Sequence, residues 1–362
     1  MRGEAVNGGA QTGHAQGKNP RSRSWLRKSV LSLALAATVP LGISATVCAA
    51  PAHAAFDNTG LDFYVDSSMG PIKSRVFRAA DGNTNRVVYA LDGERAREDD
   101  SGWELETSVS RALTAANINV VMPVGGQSSW YADWASPSTF LGLPAGTASG
   151  TDTTGSGATQ VLAGGPGKSY TYKWETFLSQ DLPAALHDRL GFSSTRNGVF
   201  GLSMSGGSAL MLAAFHPNQF AYAGSFSGAL DLSLPGMKDA VRLAMISAGG
   251  YNINALAPAK GLAWQHLDPF EFAPKLKANG TRLYISAGSG LPASTDAINA
   301  STIQAMGIEA VALVGTKAFQ SRYAALGGGN VTYDYPAVGV HNWSNWESEL
   351  NHMLPDLSAH IG

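Results

Sequence analysis

Residues 198–215, GVFGLSMSGGSALMLAAF, constrain this chain more than any other segment. The run GVFGL reads as a buried strand, and the small-residue run from Met204 to Phe215 reads as a helix that stops at His216-Pro217. Only Ser203 separates the two, so the chain must reverse on a sharp turn. Strands that lead into helices build layered α/β arrangements. Other runs keep the same rhythm. Residues 86–91 (RVVYAL) and 118–123 (INVVMP) read as buried strands with an amphipathic stretch, 104–116, between them. Residues 221–227, 281–287 and 331–335 read as further strands, and 345–354 as a helix. This alternation predicts an α/β fold, with a mostly parallel central sheet flanked by helices.

Composition agrees with a globular chain. Of 362 residues 44% are hydrophobic and 14% charged, against about 25% charged in an average domain, and there are 42 glycines. A coiled coil, a charged disordered tail and a disulfide scaffold are excluded. The formal charge of -2 gives no electrostatic case for nucleic acid. Two segments break the rhythm. Residues 139–169 are nearly free of charge and rich in Gly, Ser, Thr and Ala, which predicts a flexible surface insertion. Residues 229–280 carry Pro235, Pro258, Pro269 and Pro274 among short apolar pieces, and predict an irregular cap over one end of the sheet.

Residues 1–54 read as a targeting segment. Arg21, Arg23, Arg27 and Lys28 form a basic region, and residues 30–47 are apolar and small. Ala52-His53-Ala54 then gives an A-x-A site with cleavage expected before Ala55. Six of the 25 basic residues and one of the 27 acidic ones lie in this segment, so residues 55–362 carry a net charge of -7. Cys48, the single cysteine, also lies in it, which leaves the exported part without a thiol. Residues 55–362 are expected to form one domain.

The chemistry centres on Gly201-Leu202-Ser203-Met204-Ser205. A serine on a sharp turn between strand and helix exposes its hydroxyl, and the turn needs small residues two before and two after it. Gly201 and Ser205 meet that need around Ser203. The Met204 amide, at the positive end of the new helix, is placed to stabilise an oxyanion. Ser205 is a rival at the same offsets from Ser203 and Gly207, but it would start the turn two residues beyond the strand. A serine nucleophile needs a base and an acid, in chain order after it. His341, in Gly339-Val340-His341-Asn342-Trp343, follows the last predicted strand on a glycine-bearing loop. His266 is the other histidine in reach by position. Asp296, Glu309 and Asp334 are the candidate acids, and spacing does not choose among them.

These residues resemble the antigen-85-type mycolyltransferases of bacteria with mycolic-acid envelopes. The matching blocks are Leu91-Asp92-Gly93 with Arg95-Ala96 and Gly102-Trp103; residues 121–129 (VMPVGGQSS) with Tyr131 and Asp133-Trp134; residues 170–178 (YTYKWETFL); residues 201–210; a looser block at 278–282; and His341 with Trp343. They span nearly all of residues 56–361. The resemblance implies an α/β-hydrolase fold and a catalytic set of Ser203 as nucleophile, His341 as base and Glu309 as acid. It implies an oxyanion hole from the backbone of Met204 and Glu94, where the family has leucine. It also implies sugar contacts by Asp92 and Arg95, with Trp343 lining the same pocket. The family's cysteine falls on Ala287.

The activity so implied is that of a secreted acyltransferase without metal or organic cofactor. It would move a mycoloyl group from trehalose monomycolate, through an acyl-serine, to a second trehalose monomycolate or to cell-wall arabinogalactan at the mycolic-acid envelope. Two other readings fit the same residues: a secreted carboxylesterase of this fold, and a wall- or matrix-binding protein without catalysis.

Overall fold

The computed structural model describes residues 56–137 and 171–362. The expected targeting segment, 1–54, and the expected insertion, 139–169, lie outside the described residues. Eight strands among the described residues form one sheet in the order β1-β2-β4-β3-β5-β6-β7-β8. They are β1 (Leu61–Ser67), β2 (Gly70–Phe77), β3 (Val87–Leu91), β4 (Asn119–Pro123), β5 (Asn197–Leu202), β6 (Phe220–Phe226), β7 (Arg282–Ser286) and β8 (Val331–Asp334). The β1–β2 and β2–β4 pairs are antiparallel, and every pair from β4 to β8 is parallel. The expected α/β fold with a mostly parallel sheet is what the chain adopts.

Successive strand residues point to opposite faces, and helices cover both. Val87, Tyr89 and Leu91 of β3 join Val121, Val199, Ala223 and Ile285 in one core. That core is closed by α2 (Leu182–Leu190), α3 (Met204–Phe215), α4 (Met237–Gly249) and α5 (Pro269–Asn279). Val88 and Ala90 join Val120, Met122, Phe200, Leu202 and Phe226 in the other, beneath α1 (Val109–Ala115) and α7 (Trp343–His360). Because both faces are buried, these strands are nearly unbroken apolar runs. The remaining long helix, α6 (Ala300–Ala325), packs beside α5.

Several expectations need correction. The stretch 104–116 is not one helix. It divides into a short helix, Gly102–Glu106, and α1, and at the break Thr107 donates its hydroxyl to the Trp103 carbonyl, competing with the backbone ladder. Residues 229–280 are not irregular, because they hold α4, α5 and two short helices, Ile253–Leu256 and Ala263–Leu267. Of their prolines, Pro269 starts a helix, Pro274 lies within the same one, and Pro235 and Pro258 lie between helices. Pro269 begins α5, where Asp268 accepts a capping bond from the Phe270 amide at 3.1 Å. The last helix is longer than 345–354. It begins at Trp343, with Asn342 capping the Asn345 amide at 2.9 Å, and runs through Pro355 to His360. No helix among the described residues is long and apolar enough to cross a membrane.

Candidate active site

The parallel strands β3, β5, β6 and β7 end side by side at Leu91, Leu202, Phe226 and Ser286. The residues just past these carboxyl ends, where α/β sheets place their sites, form a single cluster. Ser203 follows β5 with φ 54° and ψ -118°, a left-handed backbone that a serine adopts only under constraint. Its amide donates to the Phe226 carbonyl at 2.9 Å, and its carbonyl accepts from Gly206 at 3.1 Å. The turn leaves no room for side chains around it. A Cβ on Gly201 would overlap the Ser205 side chain and carbonyl, and one on Gly206 would sit 2.7 Å from Ser225 Oγ and 2.8 Å from Gly228 Cα.

The two serines of the motif have different environments. Ser205 is fully buried. Its Oγ accepts from the Leu202 amide at 2.9 Å and lies 2.9 Å from the Leu91 carbonyl and 3.0 Å from that of Leu202. It therefore pins β3 to the turn. Ser203 is only partly buried, and Met204 begins α3 beside it, with its amide among the unpaired donors of the helix start.

His341 is buried, and its Nδ1 lies 2.8 Å from Glu309 Oε2. Glu309 is fully enclosed. Its other oxygen accepts from Ser227 Oγ at 2.7 Å and from the Gly288 amide at 2.6 Å. Three donors thus converge on one carboxylate, which holds the imidazole proton on Nδ1 and leaves Nε2 as the acceptor. The indole of Trp346 donates to Ser227 Oγ at 3.0 Å and meets the His341 ring edge-on at 4.9 Å. The other candidates lie in different pairings. His266 and His216 share the two oxygens of Glu175 at 2.7 and 2.9 Å, below the C-terminal end of α3. Asp334 accepts from Tyr284 Oη and pairs with His352, and Asp296 accepts from the Ala293 amide within its own loop.

The loop after β3 lies against the turn. A Cβ on Gly93 would stand 2.6 Å from Leu202 Cδ1 and 3.8 Å from Ser203 Cβ, so the Gly93-Glu94 backbone packs directly beside Ser203. The Glu94 side chain accepts from Ser128 Oγ at 2.5 Å, and burial pushes its carboxyl up to about 7. Asp92 is buried. Its Oδ2 accepts from the Gly102 amide at 3.0 Å, and its Oδ1 has no hydrogen-bond partner among the described residues. Burial pushes its carboxyl up to about 7 as well. Trp343 stands next to it, since a Cβ on Gly102 would lie 3.2 Å from Asp92 Oδ1 and 2.5 Å from Trp343 Cζ2. Arg95 follows in the same loop and is partly exposed.

Sequence reasoning missed the groups that hold Glu309. Ser227, at φ 53°, follows β6 as Ser203 follows β5, and that position was the available signal. Glu349 of α7 also escaped notice. It is buried, accepts from Ser286 Oγ and from Asn345 Nδ2, and is pushed up to about 8, by burial first and then by the charge of Glu309.

Comparison with known proteins agrees with this architecture. A family model described as a putative esterase matches residues 70–357. The chain is 38% identical over 344 residues to the diacylglycerol acyltransferase/mycolyltransferase Ag85B of Mycobacterium intracellulare, covering 94% of this chain and 96% of that protein. It is 36% identical over 326 residues to Ag85C of Mycobacterium avium, covering 90% and 85%. The crystal structure of MPT51 (FbpC1) from Mycobacterium tuberculosis superposes with a TM-score of 0.64 at 28% identity, covering 87% of this chain and all of that one. With an α/β sheet whose carboxyl edge carries the Ser203 turn, and relatives this similar along most of its length, the chain belongs to the antigen 85 family of mycolyltransferases, acyltransferases built on the esterase fold.

Proposed function

We propose that this protein is a secreted mycolyltransferase acting through an acyl-serine. Ser203 Oγ attacks the ester carbonyl of trehalose monomycolate as His341 Nε2 takes the hydroxyl proton. Glu309 orients the imidazole and stabilises its cation. The Met204 and Glu94 amides bind the oxyanion while it exists. As the tetrahedral intermediate collapses, His341 returns the proton to the departing trehalose oxygen and Ser203 keeps the mycoloyl group. A hydroxyl of a second trehalose monomycolate, or of arabinogalactan, then gives its proton to His341 and attacks the acyl-serine. As that second intermediate collapses His341 passes the proton to Ser203 Oγ, giving trehalose dimycolate or a mycolated glycan and the free Ser203 hydroxyl.

The observation that carries this reading is the buried Glu309–His341 pair, on the same sheet edge as a strained, partly exposed Ser203. Transfer rather than hydrolysis requires a sugar hydroxyl to hold the site against water. Asp92 Oδ1, unpaired and beside Trp343, supports that preference, with Arg95 as a second polar contact. Secretion rests on the basic and apolar segment that ends at Ala54.

The test is purified protein with trehalose monomycolate, with products separated by chromatography. Dimycolate should exceed free mycolic acid, and Ser203→Ala should form neither. Retained transfer by Ser203→Ala overturns the assignment, and an excess of free acid turns it into a hydrolase.

A further inference from the structure

The loop from Gly125 to Tyr131 is bent to an unusual degree. Gly125 and Gly126 have φ 99° and 85°, where glycine is at ease, but Ser128, Trp130 and Tyr131 have φ 54°, 55° and 45°. Side-chain-bearing residues keep such a backbone only where their surroundings over-determine it. The partners of this loop are the residues around Ser203. The Ser128 amide donates to the Glu94 carbonyl at 3.0 Å, and Ser128 Oγ donates to Glu94 Oε1 at 2.5 Å. Two residues on, the Trp130 amide donates to Met204 Sδ at 3.2 Å, and the Trp130 carbonyl accepts from Ser208 Oγ at 2.7 Å. Tyr131 Oη accepts from the Asp92 amide at 3.1 Å.

One strained loop therefore holds both residues whose amides face the oxyanion in the reading above: Ser128 makes two bonds to Glu94, and the Trp130 amide makes one to Met204, backed by the Ser208 hydroxyl one turn further along α3. The Glu94 amide sits in a loop, and without such a grip its position would be loose. We propose that the Gly125–Tyr131 loop is a brace that sets the spacing of the two oxyanion amides, with Ser128 as the positioning residue for Glu94. The proposal rests on that reading of the active site. It also gives the acidic Glu94 side chain a task, because its carboxyl oxygen is the acceptor that takes the Ser128 hydroxyl.

The acylation step can be followed with p-nitrophenyl butyrate, which needs the oxyanion hole but no sugar acceptor. Ser128→Ala and Glu94→Ala should each lower kcat about tenfold, a fraction of what deletion of an oxyanion donor costs, with KM within about twofold. The double variant should lose no more than the worse single one, because both changes cut the same bond. Glu94→Gln, whose amide oxygen can still accept from Ser128, should recover most of the loss. If Ser128→Ala does not fold, by circular dichroism, the Glu94→Gln and Glu94→Ala pair decides. Single variants with unaltered kcat, losses confined to KM, or Glu94→Gln as impaired as Glu94→Ala would each overturn the brace. Turnover by Ser203→Ala would instead overturn the active-site reading, so the two failures are distinguishable.

Discussion

Glu309 Oε2 accepts from His341 Nδ1 at 2.8 Å while Glu309 Oε1 collects the Ser227 hydroxyl and the Gly288 amide. The carboxylate is enclosed and held through both oxygens by three donors, which fix its orientation. Glu309→Gln would present an amide group to donors that need an acceptor and would favour the wrong imidazole tautomer. Its kcat for p-nitrophenyl butyrate should fall by about 10³–10⁴ with KM little changed. Ser227→Ala should act more gently, costing about 1–3 kcal/mol of stability by leaving the Trp346 indole unpaired, as read from the urea midpoint.

The neighbouring serines should separate cleanly. Ser203→Ala should fold with a stability close to the parent and lose labelling by a fluorophosphonate. Ser205→Ala should still label, yet unfold with about 1–3 kcal/mol less stability, because the buried Leu202 amide loses its acceptor. The reverse outcome would move the proposed nucleophile from Ser203 to Ser205.

Much of this was legible in the sequence, for a physical reason. Strands β3, β5, β6 and β7 are covered on both faces, so they appear as apolar runs that no helix period imitates. β1 is an edge strand in which buried Phe63 and Val65 alternate with exposed Asp62, Tyr64 and Asp66, and so short an alternation gave no comparable signal. α6 was hidden differently. Its buried stripe is Ala305, Glu309, Ala312, Gly315, Thr316, Phe319 and Tyr323, which has helical spacing but is made mostly of small and polar residues. The choice among Asp296, Glu309 and Asp334 depended on where that helix lies, which local pattern does not encode. Ser203 and His341, by contrast, lie on turns marked by glycine.

Two carboxyls should give stability opposite pH dependences. Glu349 is raised from an ordinary 4.5 to about 8, so between those values the folded chain holds a proton that the unfolded chain has lost. Its contribution therefore falls as pH rises, by at most about 1.4 kcal/mol per pH unit. Glu349→Gln should be more stable than the parent at pH 8 and little different at pH 5. At Glu175, burial raises the carboxyl but is outweighed by the bonds to His216 and His266, which bring it down to about 2. That contribution is present above about 4.5 and is lost as pH falls toward 2. Glu175→Gln should flatten the acid side of a plot of thermal midpoint against pH.

Gly206→Ala should be costly although alanine favours helices. Its Cβ would press on Ser225 Oγ and Gly228 Cα, a crowding worth about 1–3 kcal/mol. Calorimetry should show the loss, and an unchanged midpoint would mean that the turn can open.

In the proposed catalytic set the acid comes from the interior of a helix, Ala300–Ala325, whereas the serine and the histidine come from loops. A loop can absorb an inserted residue by bulging. A helix that keeps its regular hydrogen-bond ladder cannot, because each added residue turns everything beyond it by about 100°. One residue inserted between Ala305 and Glu309 would carry the carboxylate off Ser227, Gly288 and His341 together. The length of this helix before Glu309 is thus as strictly set as the identity of the glutamate.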